Sequence, residues 1–347
     1  MFKVAIAGCG LIAVKKHIPA FLSIKNKVRI SAVCDLNQAL VKKAAENFNI
    51  RKAYASFTDM LLEEKPDIVD ICTPPQTHAD LAVLALECGA HAFIEKPMAL
   101  VTQDCDRMID AAKKYARKIC IVHNQIFNPA FIKARELVTK GEVGDFLGMR
   151  ILMSTPADYM TSKKDHWAHR LPGGVLGETG PHAVYLAEAI LKNIHTADVR
   201  ARKILPEYPW SDFEDFRINL SAENGTCSIM LAYGSNQWAA NLDILGTRGM
   251  LKIDLQAQAV TKYKRPDLGA VTIGWSELSK LFQTSGSLCM NGLKHVLGKR
   301  KDAHRQAIRQ FVDSILNNAP LPITASEGRE TVRVMEMIIE KLKCAES

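Results

Sequence analysis

Lys3-Val4-Ala5-Ile6-Ala7-Gly8-Cys9-Gly10-Leu11-Ile12-Ala13 decides the fold. A short apolar strand runs straight into Gly-x-Gly-x-x-Ala, and helical periodicity takes over from Leu11 to Leu22. In a strand–turn–helix of this kind Gly8 permits the tight turn and Gly10 lets the backbone approach a pyrophosphate. Ala13 lets the helix pack close to the strand. The unpaired N–H groups at the helix start, Leu11 and Ile12 among them, then face the anion. Asp35 closes the next strand, Val28–Cys34, 25 residues after Gly10. A carboxylate there binds the adenosine ribose hydroxyls and repels a 2′-phosphate. No arginine follows in Leu36-Asn37, so NAD is favoured over NADP, with Lys42 and Lys43 as the opposing charges.

Outward from this motif, strand and helix patterns alternate for about the first 120 residues. Strands are expected at Lys3–Ala7, Val28–Cys34, Asp67–Cys72, His91–Ile94 and Lys118–Val122. Helices are expected at Leu11–Leu22, Asn37–Phe48, Thr77–Cys88 and 102–115, the last with Thr102 as its N-cap. Such alternation implies a mostly parallel, doubly wound sheet. The pattern then changes. A helix at 129–139 and a long strand at 146–154 precede a polar, aromatic loop at 155–172. A loop feeding a helix spans 173–191, and strand-and-turn text fills 197–263. That text reads as an antiparallel sheet with one covered face. Helices are expected again near 276–297, 303–316 and 325–343. The fold class is α/β, with a Rossmann domain over 1–122 and an α+β domain over 123–347 for substrate and subunit contacts, the final helix being free to return to the first domain.

The chain has 347 residues, enough for two cores. No apolar run approaches the ~20 residues of a membrane span, and the N-terminus enters a strand directly, so no signal peptide is read. The nine cysteines are odd in number and never spaced CxxC, which suits buried thiols in a reducing, cytoplasmic setting and gives no metal site. The net charge of +8 is modest. Its clusters, Lys262–Arg265 and Lys299-Arg300-Lys301, lack interleaved aromatics and read as solvated surface rather than a nucleic-acid groove. Leu278, Leu281, Phe282, Leu288, Cys289, Leu293 and Val296 form a helical stripe suited to the domain core, a second subunit or a membrane surface, with core or subunit packing favoured.

Glu95-Lys96-Pro97 follows the apolar run His91–Ile94, so a cation stands at the end of a buried strand. Ligands of open α/β sheets bind outside the carboxyl ends of strands. Thr73-Pro74-Pro75-Gln76-Thr77-His78 follows the strand before it. Its prolines fix an extended segment that would border the nicotinamide half of a cofactor, with His78 tying the loop down. Asn124, after the last strand of the first domain, could reach nicotinamide or substrate.

With Gly8-x-Gly10-x-x-Ala13, Thr73-Pro74…His78 and Glu95-Lys96-Pro97 in place, the chain resembles the Gfo/Idh/MocA oxidoreductases. Asn128-Pro129, Gly141-Glu142-Val143-Gly144, Gly173-Gly174 and Gly180-x-His182 extend the resemblance in order over nearly the whole chain. It implies a Rossmann domain joined to a large, open-faced, mostly antiparallel sheet, and a homodimer or homotetramer through that sheet. It also implies a reaction centre combining Lys96 with His182 and a carboxylate. Here Glu178 stands where aspartate is usual, Tyr185 where a second aspartate often sits, and Ile126 near where many relatives carry arginine.

The chemistry implied is hydride transfer between NAD and a secondary alcohol or ketone of a sugar, cyclitol or sugar nucleotide. Lys96 would stabilise charge on the reacting oxygen. His182, with an ordinary pKa near ~6.5, would exchange the proton. Glu178, four residues before it, would orient the imidazole or pair with Lys96. Trp167 and His169 suit a sugar face and its hydroxyls. Two other readings stand beside this one: an NAD-retaining glycosidase or eliminase working by transient oxidation, and a non-catalytic NAD-binding regulator.

Overall fold

Val4, Ala5 and Ile6 have no exposed surface, and neither have Ala32, Val33, Ile68 and Val69 in the strands beside them. Strands buried on both faces read as continuous apolar runs, and that burial calls for parallel neighbours covered by helices. In the computed structural model, which describes residues 1–297 and 302–344, these strands form the centre of the first of two compact units. That unit comprises Met1–Asn124 with Asp302–Arg333. The second holds the described residues of 125–301 and 334–347. Among the described residues no helix is long and apolar enough to cross a membrane.

The first unit runs β1 (Phe2–Ala7), α1 (Ile18–Leu22), β2 (Val28–Cys34), α2 (Gln38–Phe48), β3 (Lys52–Tyr54), α3 (Phe57–Glu64), β4 (Ile68–Ile71), α4 (His78–Glu87), β5 (His91–Ile94), α5 (Thr102–Lys114) and β6 (Ile119–Ile121). The sheet order is β3-β2-β1-β4-β5-β6, all parallel. The order reverses between β1 and β4, and that crevice is where open α/β sheets take ligands. A single π-turn, Ala13–His17, leads into α1. Thr102 is the first helical residue of α5, and Val101 holds the cap position with no side-chain cap bond. The segment β3–α3 has too short and too exposed a strand to announce itself in sequence. Its Tyr54 and Phe57 pack against the cluster Ala5, Ala32, Cys34 and Met60.

The second unit begins with α6 (Pro129–Thr139) and β7 (Phe146–Ser154), followed by α7 (Val175–Glu188). Then come β8 (Ile194–Arg202), β9 (Asp215–Ala222), β10 (Gly225–Ala232), β11 (Ala239–Gly246), β12 (Gly249–Asp254), β13 (Ala259–Tyr263) and α8 (Ala270–Val296). Its sheet has the order β13-β12-β11-β7-β10-β9-β8, antiparallel except where β10 meets β7. Register explains its two faces. Val199, Ile218, Ile229, Ile151, Leu242 and Ile253 pair in one row across the sheet, and all are buried. The adjacent row is Asp198, Asn219, Ser228, Arg150, Asp243 and Lys252. A one-residue slip would exchange the two rows, so the apolar pattern fixes the pairing.

Helix α9 (Ala303–Leu316) belongs to the first unit, and α10 (Ala325–Cys344) contributes Ala325–Arg333 there and its remainder to the second. Helix α8 starts at Ala270 rather than near residue 276. Its apolar stripe is not core: Leu281, Phe282, Leu293 and Val296 are 61, 68, 55 and 83% exposed. The helix is held to β13 by polar contacts instead. The Gln283 amide accepts from the Lys262 N–H (2.8 Å) and donates to its carbonyl (2.9 Å), and Asn291 donates to the carbonyls of Ala257 and Gln258. The Lys299-Arg300-Lys301 cluster lies outside the described residues.

Candidate functional site

Gly8 is dictated twice over. Its φ is +93°, and a Cβ there would lie 2.7 Å from the backbone carbonyl of Cys72, at the end of β4. The ends of β1 and β4 therefore meet too closely for any other residue. Gly10 is different: a Cβ built on it meets nothing within 4 Å. Its backbone borders open space, as a glycine that admits a pyrophosphate should. Asp35 ties this turn to the end of β2. Its Oδ2 accepts from the Cys9 N–H (2.7 Å) and its Oδ1 from the Asn37 N–H (2.8 Å). Asn37 in turn caps α2, accepting from Ala39 and Leu40. These residues fit a dinucleotide: a glycine turn with free space, a helix start and a carboxylate beside it.

The loops after β4 and β5 are joined by His78. Its Nε2 lies 2.8 Å from the Thr73 carbonyl and its Nδ1 3.0 Å from the Pro97 carbonyl, with the ring fully buried. Burial lowers its pKa against the opposing pull of the Thr73 and Pro97 carbonyls. Lys96 stands two residues past the end of β5, and its N–H donates to Glu95 Oε2 at 3.0 Å. The Lys96–Pro97 peptide is cis.

Glu95 opens onto a cluster that no sequence motif announced. Its Oε1 lies 2.8 Å from Nε2 of His17, whose Nδ1 lies 2.9 and 3.1 Å from the two oxygens of Asp70. His17 and Asp70 have no exposed surface, and Glu95 and His304 are buried beside them. Cys72 Sγ donates to Asp70 at 3.5 Å. Burial alone would lower the His17 pKa, but Asp70 and then Cys72 outweigh it and hold it well above 6.5. Burial alone would raise the Glu95 pKa, and the His17 hydrogen bond and charge bring it down to about 2. Burial drops His304 to about 4 against the pull of Glu95. The legible signals were Asp70 inside the apolar run Ile68-Val69-Asp70-Ile71 and His17 on the inner face of the first helix. A carboxylate in a buried strand requires a partner.

In the second unit His182 sits in α7 and its Nδ1 lies 2.7 Å from the Tyr185 hydroxyl. That hydroxyl also accepts from the Gln125 N–H at 3.1 Å. Tyr185 is thus a partner that fixes the imidazole, one turn along the same helix. Glu178, in the first turn of α7, accepts from the Thr179 hydroxyl at 2.8 Å. His169 Nε2 contacts the Met160 carbonyl at 3.2 Å, and Trp167 is 38% exposed in the same loop. Asn124 is buried at the end of the first unit.

Comparison with known proteins bears on the family of the chain. The family model described as "Oxidoreductase family, NAD-binding Rossmann fold" matches residues 2–123, and the "GFO/IDH/MocA C-terminal domain" matches residues 131–252. The chain belongs to the Gfo/Idh/MocA family. Like its Gfo/Idh/MocA relatives it is an NAD(P)-dependent oxidoreductase acting on CH–OH groups. An uncharacterized oxidoreductase of Bacillus subtilis is 24% identical over 95% of this chain and 91% of its own. D-glucoside 3-dehydrogenase of Escherichia coli is 32% identical over 41% of this chain and 40% of its own. Among solved Gfo/Idh/MocA structures, the WlbA dehydrogenase of Bordetella pertussis in complex with NADH and UDP-GlcNAcA superposes with a TM-score of 0.79. It is 17% identical, covering 99% of this chain and 96% of that one, and so speaks to the fold.

Proposed function

We propose that the protein is an NAD-dependent dehydrogenase of a secondary alcohol on a sugar, cyclitol or sugar nucleotide, with Lys96 and His182 as its reacting side chains and a cytoplasmic setting. NAD, when bound, supplies the hydride acceptor. The observation that carries the reading is Lys96 itself, standing at the carboxyl end of β5 with its backbone anchored by Glu95. From there its ammonium group would donate to the substrate oxygen and stabilise alkoxide character. His182, steadied by Tyr185 at 2.7 Å, would take the hydroxyl proton. Glu178 would carry the carboxylate charge near that pair, and Trp167 and His169 would meet the sugar. Gly8, Gly10, Leu11, Ile12, Ala13 and Asp35 would hold the adenosine and pyrophosphate. Thr73, Pro74, His78, Glu95 and Asn124 would shape the nicotinamide end. Asp35 disfavours a 2′-phosphate, which supports NAD over NADP. The nine cysteines are odd in number and never spaced CxxC, which suits a reducing compartment. A second copy covering the polar row of the second sheet would give the homodimer or homotetramer.

The test is turnover by the purified protein with NAD and a panel of methyl β-D-glucoside, myo-inositol and UDP-sugars. NADH accumulation is expected, lost in Lys96→Ala while NADH binding is largely kept. In His182→Ala the limb near neutrality should vanish from the pH–rate profile. Cleavage of p-nitrophenyl glycosides without net NADH would replace this reading with the glycosidase one. Tighter binding of NADPH than NADH would overturn the assignment to Asp35.

A further inference from the structure

Two carboxylates and an imidazole lie in line beneath the lysine of the proposed reaction centre. Asp70 in β4 faces His17 Nδ1, His17 Nε2 faces Glu95 Oε1, and Glu95 Oε2 receives the Lys96 N–H. A carboxylate without its proton only accepts hydrogen bonds, so an imidazole bonded to carboxylates through both nitrogens must carry both protons. We propose that His17 is a positioning residue, a buried imidazolium that clamps Asp70 and Glu95 and thereby fixes the backbone that presents Lys96. The inference rests on the dehydrogenase reading only for its catalytic consequence; the clamp itself stands on the geometry of the first unit.

Burial and charge support it. His17 and Asp70 have no exposed surface and the Glu95 side chain is 9% exposed. Two buried anions this close would repel strongly without a cation between them. Among the described residues the titratable groups acting on the cluster are Asp70 and Cys72 from β4 and its end, and Glu95 and Lys96 after β5. His304 and Asp302 come from the start of α9, and Lys16 beside His17 pairs with Asp302 at 2.8 Å. His304 Nε2 stands 4.0 Å from Glu95 Oε1, and its ring centre is 5.7 Å from that of His17. The shift of its pKa to about 4 leaves it neutral at pH 7, so of the two imidazoles it is His17 that carries charge between the carboxylates. The ligand atoms of His17, Glu95 and His304 lie within 4.8 Å of one another, as do those of His17, Asp70 and Cys72. A metal there would need a bare ring nitrogen on His17, and both are engaged with carboxylates.

Two measurements on the full chain test the clamp. The first needs no variant: ¹⁵N-histidine labelling, with His17 assigned through its contact with the Phe93 ring (centroids 6.0 Å apart). Two protonated nitrogens persisting above pH 7 are expected. A single protonated nitrogen at pH 7, or stoichiometric zinc that removes those signals, would overturn the proposal. The second is amide exchange at Lys96 in His17→Gln, expected to accelerate about tenfold or more as the Glu95 anchor loosens. On the substrate that gives turnover, kcat should fall with the KM for NAD unchanged. Unaltered exchange at Lys96 in a folded variant would sink the positioning role. If no alcohol is oxidised at all, the dehydrogenase reading fails while the labelling and exchange results still decide the clamp.

Discussion

The two glycines of the first turn should fail in opposite ways when each is changed to alanine. At Gly8 the added methyl meets the Cys72 carbonyl carbon and oxygen at 2.7 Å and the Thr73 nitrogen at 2.8 Å, and φ is +93°. All three atoms are backbone just past the end of β4, so no side-chain rotation can relieve the contact. A strained φ costs roughly 1–3 kcal/mol, and overpacking a tight core costs about 1–3 kcal/mol more. Gly8→Ala should therefore lose about 2–6 kcal/mol of stability in the first unit. At Gly10 the methyl meets nothing within 4 Å, so Gly10→Ala should stay within about 1 kcal/mol of the parent. On the proposed cofactor reading it should nevertheless bind NADH weakly, because the methyl would occupy the space the pyrophosphate needs. Urea unfolding followed by fluorescence, with NADH titration on the folded protein, separates the two effects. A Gly8→Ala protein as stable as the parent would refute the packing argument, and a Gly10→Ala protein with parental NADH affinity would refute the cofactor argument.

Two further outcomes follow from particular side chains. Tyr185→Phe removes the hydroxyl that accepts from the Gln125 N–H and contacts His182. It should cost about 1–3 kcal/mol through the orphaned N–H and lower kcat by about tenfold, both readable from melting and steady-state kinetics. Parental kcat in a folded Tyr185→Phe protein would remove Tyr185 from the site. The pH dependence of stability has a definite sign at His91, whose Nδ1 accepts from the Lys118 N–H at 2.9 Å. Burial, then Arg117 and Lys118, lower its pKa to about 4. A depressed folded pKa gives stability that is present above the ordinary value of about 6.5 and is lost as pH falls toward 4. His91→Asn keeps an acceptor without the titration, so its unfolding midpoint should fall less across that window; an identical fall would exclude His91.

The elements legible in sequence were those whose burial is written into the period. Val4–Ala7, Val28–Cys34 and His91–Ile94 are apolar runs, and the second sheet alternates strictly enough to set its register. Segment 52–64 escaped because a three-residue edge strand carries no period. Spacing marks the α8 stripe but cannot say which face of the helix meets its own sheet. There the polar Gln283 and Asn291 face β13, and the leucines look outward.

The dinucleotide turn, the carboxylate of Asp35, the Lys96 strand end and the family are all readable along the chain. Each depends on residues close together along the chain, where backbone geometry ties residue type to role. What supports them emerges from the folded chain. Asp70 and Glu95 meet His17 from 53 and 78 residues away, and His304 arrives on a helix beyond residue 302. Long-range pairing of buried charges leaves no periodic trace in the sequence, because its partners are chosen by the packing of β4, β5 and the first helix rather than by any local preference of the chain.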